Sequence, residues 1–321
     1  MTEINKAAVS LLNKETGQPL PECERAWVEA KGDYYKALAI LKKKGKSDVD
    51  INAKDVMKLR NETGLPMMDC KSALIEAKGN FDEAIEILRK KMKGKMDKRT
   101  DRAAGEGRIA IAVNPDSGVA SIVEVRAETD FTAKNDEFVK MCDKVAQIAL
   151  NKGHAGDVPE LPEIKAAIDD VRIKTGENCS YGRGHKVTGE TGTTAFGKYV
   201  HHDGKTGVLI QATGSINDET LRQLCMHITA AVPRPVGISA KDVPADVVEK
   251  ERKFRIEQAM ESGKPREIAE KMVEGGMRKF FEEICLLEQP FVVDPTKKVK
   301  DIVGSKAQIV SFYRWAVGQR D

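Results

Sequence analysis

Apolar positions along this chain follow two rhythms, and the change between them divides it. Up to about residue 92 they recur at helical spacing in short runs punctuated by glycine and proline. Val56, Leu59 and Arg60 share a helical stretch that ends at Thr63-Gly64, because glycine suits the left-handed position after a helix. Pro66 precedes a second run with Cys70, Ala73, Leu74 and Ala77 on one face, which Gly79 stops. Asn80 or Asp82 can cap a third, in which Ala84, Ile85 and Leu88 point inward.

The pattern turns strand-like beyond Gly105. Arg108–Val113 is short and apolar, Asn114–Gly118 is a turn cluster, and Val119–Val125 is apolar and β-branched, so a hairpin is expected. Asn135 can cap a long helix to about Leu150, with Phe138, Met141, Cys142, Val145 and Ile148 at helical spacing. A second strand pair is expected over 198–202 and 207–212, followed by a helix from about Asp218 to Ala231 that Pro233 ends. Val243–Ser262 reads as a charged helix, Gly263-Lys264-Pro265 as a stop and restart, and the segment after it as a second, antiparallel arm. The narrow apolar stripe of these arms suits two helices that pack only on each other. Gln289–Val293 and Ile309–Tyr313 read as extended segments returning to the core.

The helical front is a duplication. Residues 4–46 align with 51–93 at a constant offset of 47, identical at about 20 of 43 positions. Glu15-Thr16-Gly17 returns as Glu62-Thr63-Gly64, and Glu29-Ala30-Lys31-Gly32 as Glu76-Ala77-Lys78-Gly79. Each copy resembles a ubiquitin-associated three-helix module, a fold that by itself does not imply ubiquitin binding. The fold class expected is therefore α+β. It has a first three-helix module over 1–46, a second over 51–92 and a basic linker over 93–107. The core follows as two similar subdomains of antiparallel sheet plus helix, 108–197 and 198–321, the latter with a helical hairpin over 242–284 inserted.

Composition narrows the function. Of 321 residues, 53 are Lys or Arg and 50 Asp or Glu, a net charge of +3 that argues against a general coat for nucleic acid. The charge is unevenly spread: Arg89–Arg102 carries eight basic residues against two aspartates. A solvated linker is the favoured reading of that run over RNA contact, since no aromatics interleave with the charges. No apolar run approaches the roughly 20 residues needed to span a bilayer. Met1–Lys6 shows no targeting segment and the six cysteines form no CxxC, so a reduced cytoplasmic protein without metal is expected.

Catalytic signatures are weak. His201-His202-Asp203 lacks a third ligand cluster. Gly204-Lys205-Thr206 imitates the end of a phosphate-binding loop, but Tyr199 stands where that motif needs glycine. Asn178 spoils a GxSxG around Ser180, and no HExxH occurs. Binding is therefore the default class. Phe131, between strand and helix, reads on sequence alone as a core plug at the helix entry.

The ordered series Met67-Met68-Asp69-Cys70-Lys71, Thr129-Asp130-Phe131, Met226-His227, Gly263 through Gly275 and Gln289-Pro290-Phe291-Val292 resembles the elongation factor Ts family from about Ile51 to Val317. The resemblance implies a guanine nucleotide exchange factor for elongation factor Tu, with no covalent chemistry and no cofactor or nucleotide of its own. It implies action on the Mg²⁺ and GDP held by that partner. Arg60, Met67 and Met68 match the docking positions of the N-terminal module. Thr129, Asp130 and Phe131 match the element inserted beside the nucleotide site. Gly176 and Asn178 match a Gly-Glu-Asn turn, His201 a strand end, and His227, Val292 and Val293 further positions at or near the partner surface. The chain departs from the family in its duplicated module, with Leu20-Pro21 where the second copy has Met67-Met68, in Thr132 after the phenylalanine, and in a long glycine-rich loop expected over Cys179–Phe196. Two other readings compete: a ubiquitin-type adaptor built on the tandem modules, and RNA binding through Arg89–Arg102.

Overall fold

The computed structural model describes residues 4–44, 51–97, 102–261, 263 and 265–319. Part of the basic run, residues 98–101, lies outside them. The chain divides into two compact units, Met1–Gly94 and Lys95–Asp321.

The first unit holds both copies of the repeat: α1 (Lys6–Thr16), α2 (Leu20–Glu29) and α3 (Tyr34–Lys44), then α4 (Ala53–Thr63), α5 (Met67–Glu76) and α6 (Phe81–Asp97). The sequence identity is matched by backbone identity. Asn5 and Asn52 cap the first helices through their side-chain oxygens, and Gly17 and Gly64 end them at φ 68° and 70°. Lys31 and Lys78 both take the left-handed conformation, at φ 51° and 49°. A β-carbon there costs about 1–2 kcal/mol, so each module must hold this tight turn by its packing. Asn80 caps α6, its Oδ1 accepting from the backbone of Asp82 and Glu83. The cores correspond as well: Val9, Leu12, Cys23, Ala26 and Trp27 against Val56, Leu59, Cys70, Ala73 and Leu74, all buried. The helix α6 runs on to Asp97, past the expected start of the linker at 93, and buries Met92.

The second unit is built from two sheets. One has the order β1 (Glu106–Asn114), β2 (Val119–Ala127), β4 (Ser180–Thr188), β3 (Gly156–Asp157); the other runs β5 (Thr194–Val200), β6 (Thr206–Gly214), β7 (Ala307–Ala316). Every pairing is antiparallel. On the first sheet lie α7 (Asp130–Lys134), α8 (Asp136–Lys152) and α9 (Pro162–Thr175), and on the second α10 (Asp218–Ala230) and α13 (Val299–Val303). The inner faces of the sheets meet through Ile109, Ile111, Ala120, Ile122, Val187, Leu209 and Trp315. The outer faces bury Ala110, Val123 and Val125 under α8, and Val208, Ile210 and Ala212 against α10. Strands covered on both sides need no polar face, which is why Ile109–Val113 and Val208–Ile210 read as continuous apolar runs.

The expected loop over Cys179–Phe196 is instead largely strand. Two of its glycines are demanded by neighbours: a β-carbon on Gly184 would strike the Tyr181 hydroxyl, and one on Gly182 would sit 3.1 Å from the Glu124 side chain. The second sheet accordingly begins at Thr194, ahead of the boundary read at 198. The segment Gln289–Val293 is not a strand; it follows a 3₁₀ turn and makes one isolated bridge, Pro290 to Lys298.

The two arms α11 (Ala245–Glu261) and α12 (Arg266–Ile284) pack along a seam of Ala259, Val273 and Met277, and are anchored at their base by Val243, Ile284 and Cys285. At 1.5 Å per residue they extend about 25 and 28 Å. All six cysteines are buried and free; burial pushes the Cys179 thiol up to about 12, so it stays protonated and unreactive. No described helix is long and apolar enough to cross a membrane.

Candidate partner-binding site

Between β2 and α8 the chain makes a single five-residue helix, α7, and its first residues form the most exposed apolar feature of the site. Thr129 is its N-cap, its hydroxyl oxygen accepting from the Thr132 amide at 3.3 Å. Thr132 and Ala133 are buried against the sheet, while Phe131 between them and the cap is 82% exposed. The core-plug reading of Phe131 is thereby overturned: the small Thr132 and Ala133 fill the inner face of this short helix, and the aromatic ring is left in solvent. Asn135 ends α7 and, through its side chain, caps α8 at Glu137.

The turn is fastened from a second element. The Gly176 amide closes α9 on the Arg172 carbonyl at φ 71°, and the next two residues meet Glu128 and Thr129 reciprocally. The Glu177 carboxylate accepts from the Thr129 amide at 3.2 Å and from its hydroxyl at 2.8 Å. The Glu128 carboxylate accepts from the Asn178 amide at 2.7 Å. Asn178 is itself buried, and its side chain donates to the Arg102 carbonyl at 2.8 Å. Gly176 is thus half-buried at the end of α9, and Asn178 is spent on internal hydrogen bonds.

Asp130 is half-exposed and receives the Lys134 ammonium at 2.7 Å. That hydrogen bond, with Lys205 adding, holds its carboxyl below the usual carboxylate range, so it is ionised at neutral pH. Lys205 comes from the β5–β6 turn, where it pairs with Glu106 at 2.6 Å. A hydrogen bond pins this turn to the first sheet, Ile109 N–H donating to Gly204 O, while Gly204 N–H donates to His201 O within the turn. His201 opens this turn, its Nδ1 3.2 Å from the Tyr199 hydroxyl. Among the described residues no group of three or more His, Cys, Asp or Glu is arranged to hold a metal ion.

His227 is buried, in contrast to a contact residue. Val292 N–H donates to its Nδ1 at 3.2 Å, which leaves Nε2–H to donate to Gln289 Oε1 at 3.0 Å. Gln289 in turn donates to the carbonyls of Pro233 and Glu283. Burial pushes the His227 pKa down, opposed by the Gln289 hydrogen bond, so the neutral ring is favoured. The network holds Gln289–Val293 in an irregular path from which Val292 and Val293 project, both about half exposed.

In the first unit, Arg60 lies exposed near the end of α4, and Met67 and Met68 open α5, with Met68 71% exposed. Leu20 and Val28 of the first module are exposed at the positions of Met67 and Ile75. Sequence reasoning missed Glu177, Glu128 and Lys205. A carboxylate next to a helix-ending glycine was the available signal for Glu177, but its partner lies 48 positions away.

The family described as Elongation factor TS matches residues 128–319. A protein named Elongation factor Ts from Hydrogenovibrio crunogenus is 46% identical over 325 residues, spanning 98% of this chain and 92% of its own. Those of Methylococcus capsulatus and Vibrio vulnificus, with the same name, are 42% and 41% identical over 98% of this chain. With the match running from Glu128 to Gln319 and relatives alike over nearly the full length, the chain belongs to the elongation factor Ts family.

Proposed function

We propose that this chain is a guanine nucleotide exchange factor for elongation factor Tu that binds the GDP form and promotes GDP release. The observation that carries the reading is Phe131, a large aromatic left in solvent on a short helix whose neighbours are buried and whose cap is fixed by Glu177. Burying such a ring in a partner pocket yields roughly 1.5–3 kcal/mol. Asp130 enters beside it as a fixed negative charge. Near the Mg²⁺ and phosphates held by the partner, that charge repels the phosphates and competes for the cation's coordination.

Exchange on this account is displacement, without covalent chemistry and without a cofactor of this chain's own. Coupling between factor and nucleotide is reciprocal: whatever the factor removes from nucleotide affinity, nucleotide removes from factor affinity. One coupling of about 1–3 kcal/mol changes affinity roughly 5–150-fold, so several contacts act together. Met67, Met68 and Arg60 supply docking through the second module. Val292 and Val293, held out by the His227–Gln289 network, supply a further apolar contact. The test is release of a fluorescent GDP from elongation factor Tu, with wild-type chain against Phe131→Ala.

A further inference from the structure

We infer that Glu177 is a positioning residue for exchange, acting through Thr129 to set the direction in which Phe131 is presented. The inference rests on the exchange reading above and adds to it a residue whose action is routed through Thr129.

The geometry is stringent because one hydroxyl is used twice. Thr129 Oγ1 donates its single proton to Glu177 Oε1 at 2.8 Å and accepts from the Thr132 amide at 3.3 Å. The Glu177 carboxylate thus dictates where the proton points, and with it which lone pair is free to cap α7. The other oxygen takes the Thr129 amide at 3.2 Å, so the residue is held at backbone and side chain together. Across the same junction Glu128 Oε1 accepts the Asn178 amide at 2.7 Å, and Arg102 stands 3.4 Å from Glu128 Oε2. The Glu128-Thr129 and Glu177-Asn178 pairs therefore clasp each other, each giving a carboxylate to the other's backbone. Five residues are too few to define a helix direction without tertiary support, and this clasp, with buried Thr132 and Ala133, provides it.

Charge matters here as well as shape. Hydrogen bonds to a carboxylate are shorter and stronger than neutral ones. Glutamine at 177 retains the length but offers one acceptor oxygen to two donors, and places its amide hydrogens against one of them. Glu177→Gln is thus expected to keep the fold and loosen the turn.

The test is the rate of fluorescent GDP release measured against factor concentration for wild type, Glu177→Gln, Phe131→Ala and the double variant. Glu177→Gln is expected to lower the maximal rate about tenfold with the half-saturating concentration within twofold, and to leave the maximal rate of the Phe131→Ala background unchanged. A purely structural role gives the opposite split: a smaller folded fraction raises the half-saturating concentration and leaves the maximal rate alone. Amide hydrogen exchange at Thr129 should accelerate in Glu177→Gln while exchange in β1 and β2 does not. A wild-type maximal rate for Glu177→Gln, or an additive loss in the double variant, overturns the positioning role. A wild-type rate for Phe131→Ala refutes the role given to that ring, and no acceleration of GDP release by the wild-type chain refutes the exchange reading itself, independently of Glu177.

Discussion

Glu124 offers the clearest magnitude. Its side chain is fully buried in β2, where Oε1 accepts from Arg126 Nε at 2.9 Å and from the Gly318 amide at 2.9 Å, and Oε2 accepts from Arg183 Nε at 2.9 Å. Arg183 also reaches the Gln319 carbonyl at 2.6 Å and lies over the Trp315 ring at 4.3 Å. The carboxylate therefore ties the first sheet to the tail of β7, whose Val317 amide bonds the Lys205 carbonyl in the turn beside Asp130. Replacing it with alanine takes the carboxylate away from two guanidinium groups and a backbone amide. Breaking a buried pair costs about 3–5 kcal/mol. Both arginines keep partial solvent contact, 32% and 24% exposed, so the lower end applies. For a unit of this size each kcal/mol moves Tm by about 2–4 °C, and about 3 kcal/mol lowers it by roughly 6–12 °C. Differential scanning calorimetry of wild type, Glu124→Gln and Glu124→Ala is the assay. Glutamine keeps one acceptor and should fall between the two. A drop under about 2 °C for alanine would show that the carboxylate is not the tie described.

Two further outcomes follow from other parts of the molecule. His227 has a pKa lowered by burial, so the folded state binds fewer protons than the unfolded one. The stability it contributes is complete above the ordinary histidine value of about 6.5 and is lost as pH falls from there through the depressed value; denaturant unfolding from pH 8 to 5 should show this component, and His227→Gln should remove it. Met67→Ala with Met68→Ala deletes two exposed side chains of α5. It should raise the half-saturating concentration for exchange while sparing Tm and the maximal rate, and a changed maximal rate with unchanged affinity would contradict a docking role.

Much of the architecture was legible because local signals and packing agree. The duplicated Thr-Gly and Ala-Lys-Gly stretches mark helix ends that recur with the same backbone angles, and Asn135 caps α8 as its position suggests. The strand β4 escaped notice because its glycines and polar residues break the alternation; they are there to clear Tyr181 and Glu124, neighbours that only the fold reveals. The helix α9 carried the usual punctuation, Pro162 at its start and Gly176 past its end, yet its apolar positions went unread. At the site, the Thr-Asp-Phe motif was visible but its exposure was not. A phenylalanine at a helix entry is ordinarily a plug, and only the burial of Thr132 and Ala133 beneath it turns the ring outward. His227 and Asn178 stood out as site residues, and the structure gives each an internal partner: Gln289 for one, the Arg102 carbonyl for the other. Such partners lie 62 and 76 residues away and leave no local trace.

In the proposed function a solvent-exposed Phe131 on a fixed turn drives nucleotide release. That role is tested most directly by stopped-flow release of a fluorescent GDP from elongation factor Tu at saturating factor. Wild type should accelerate release strongly, and Phe131→Ala should slow it at least tenfold, the loss of about 1.4 kcal/mol of coupling, with Tm unchanged because the ring is in solvent. Equal rates for the two proteins would contradict the account.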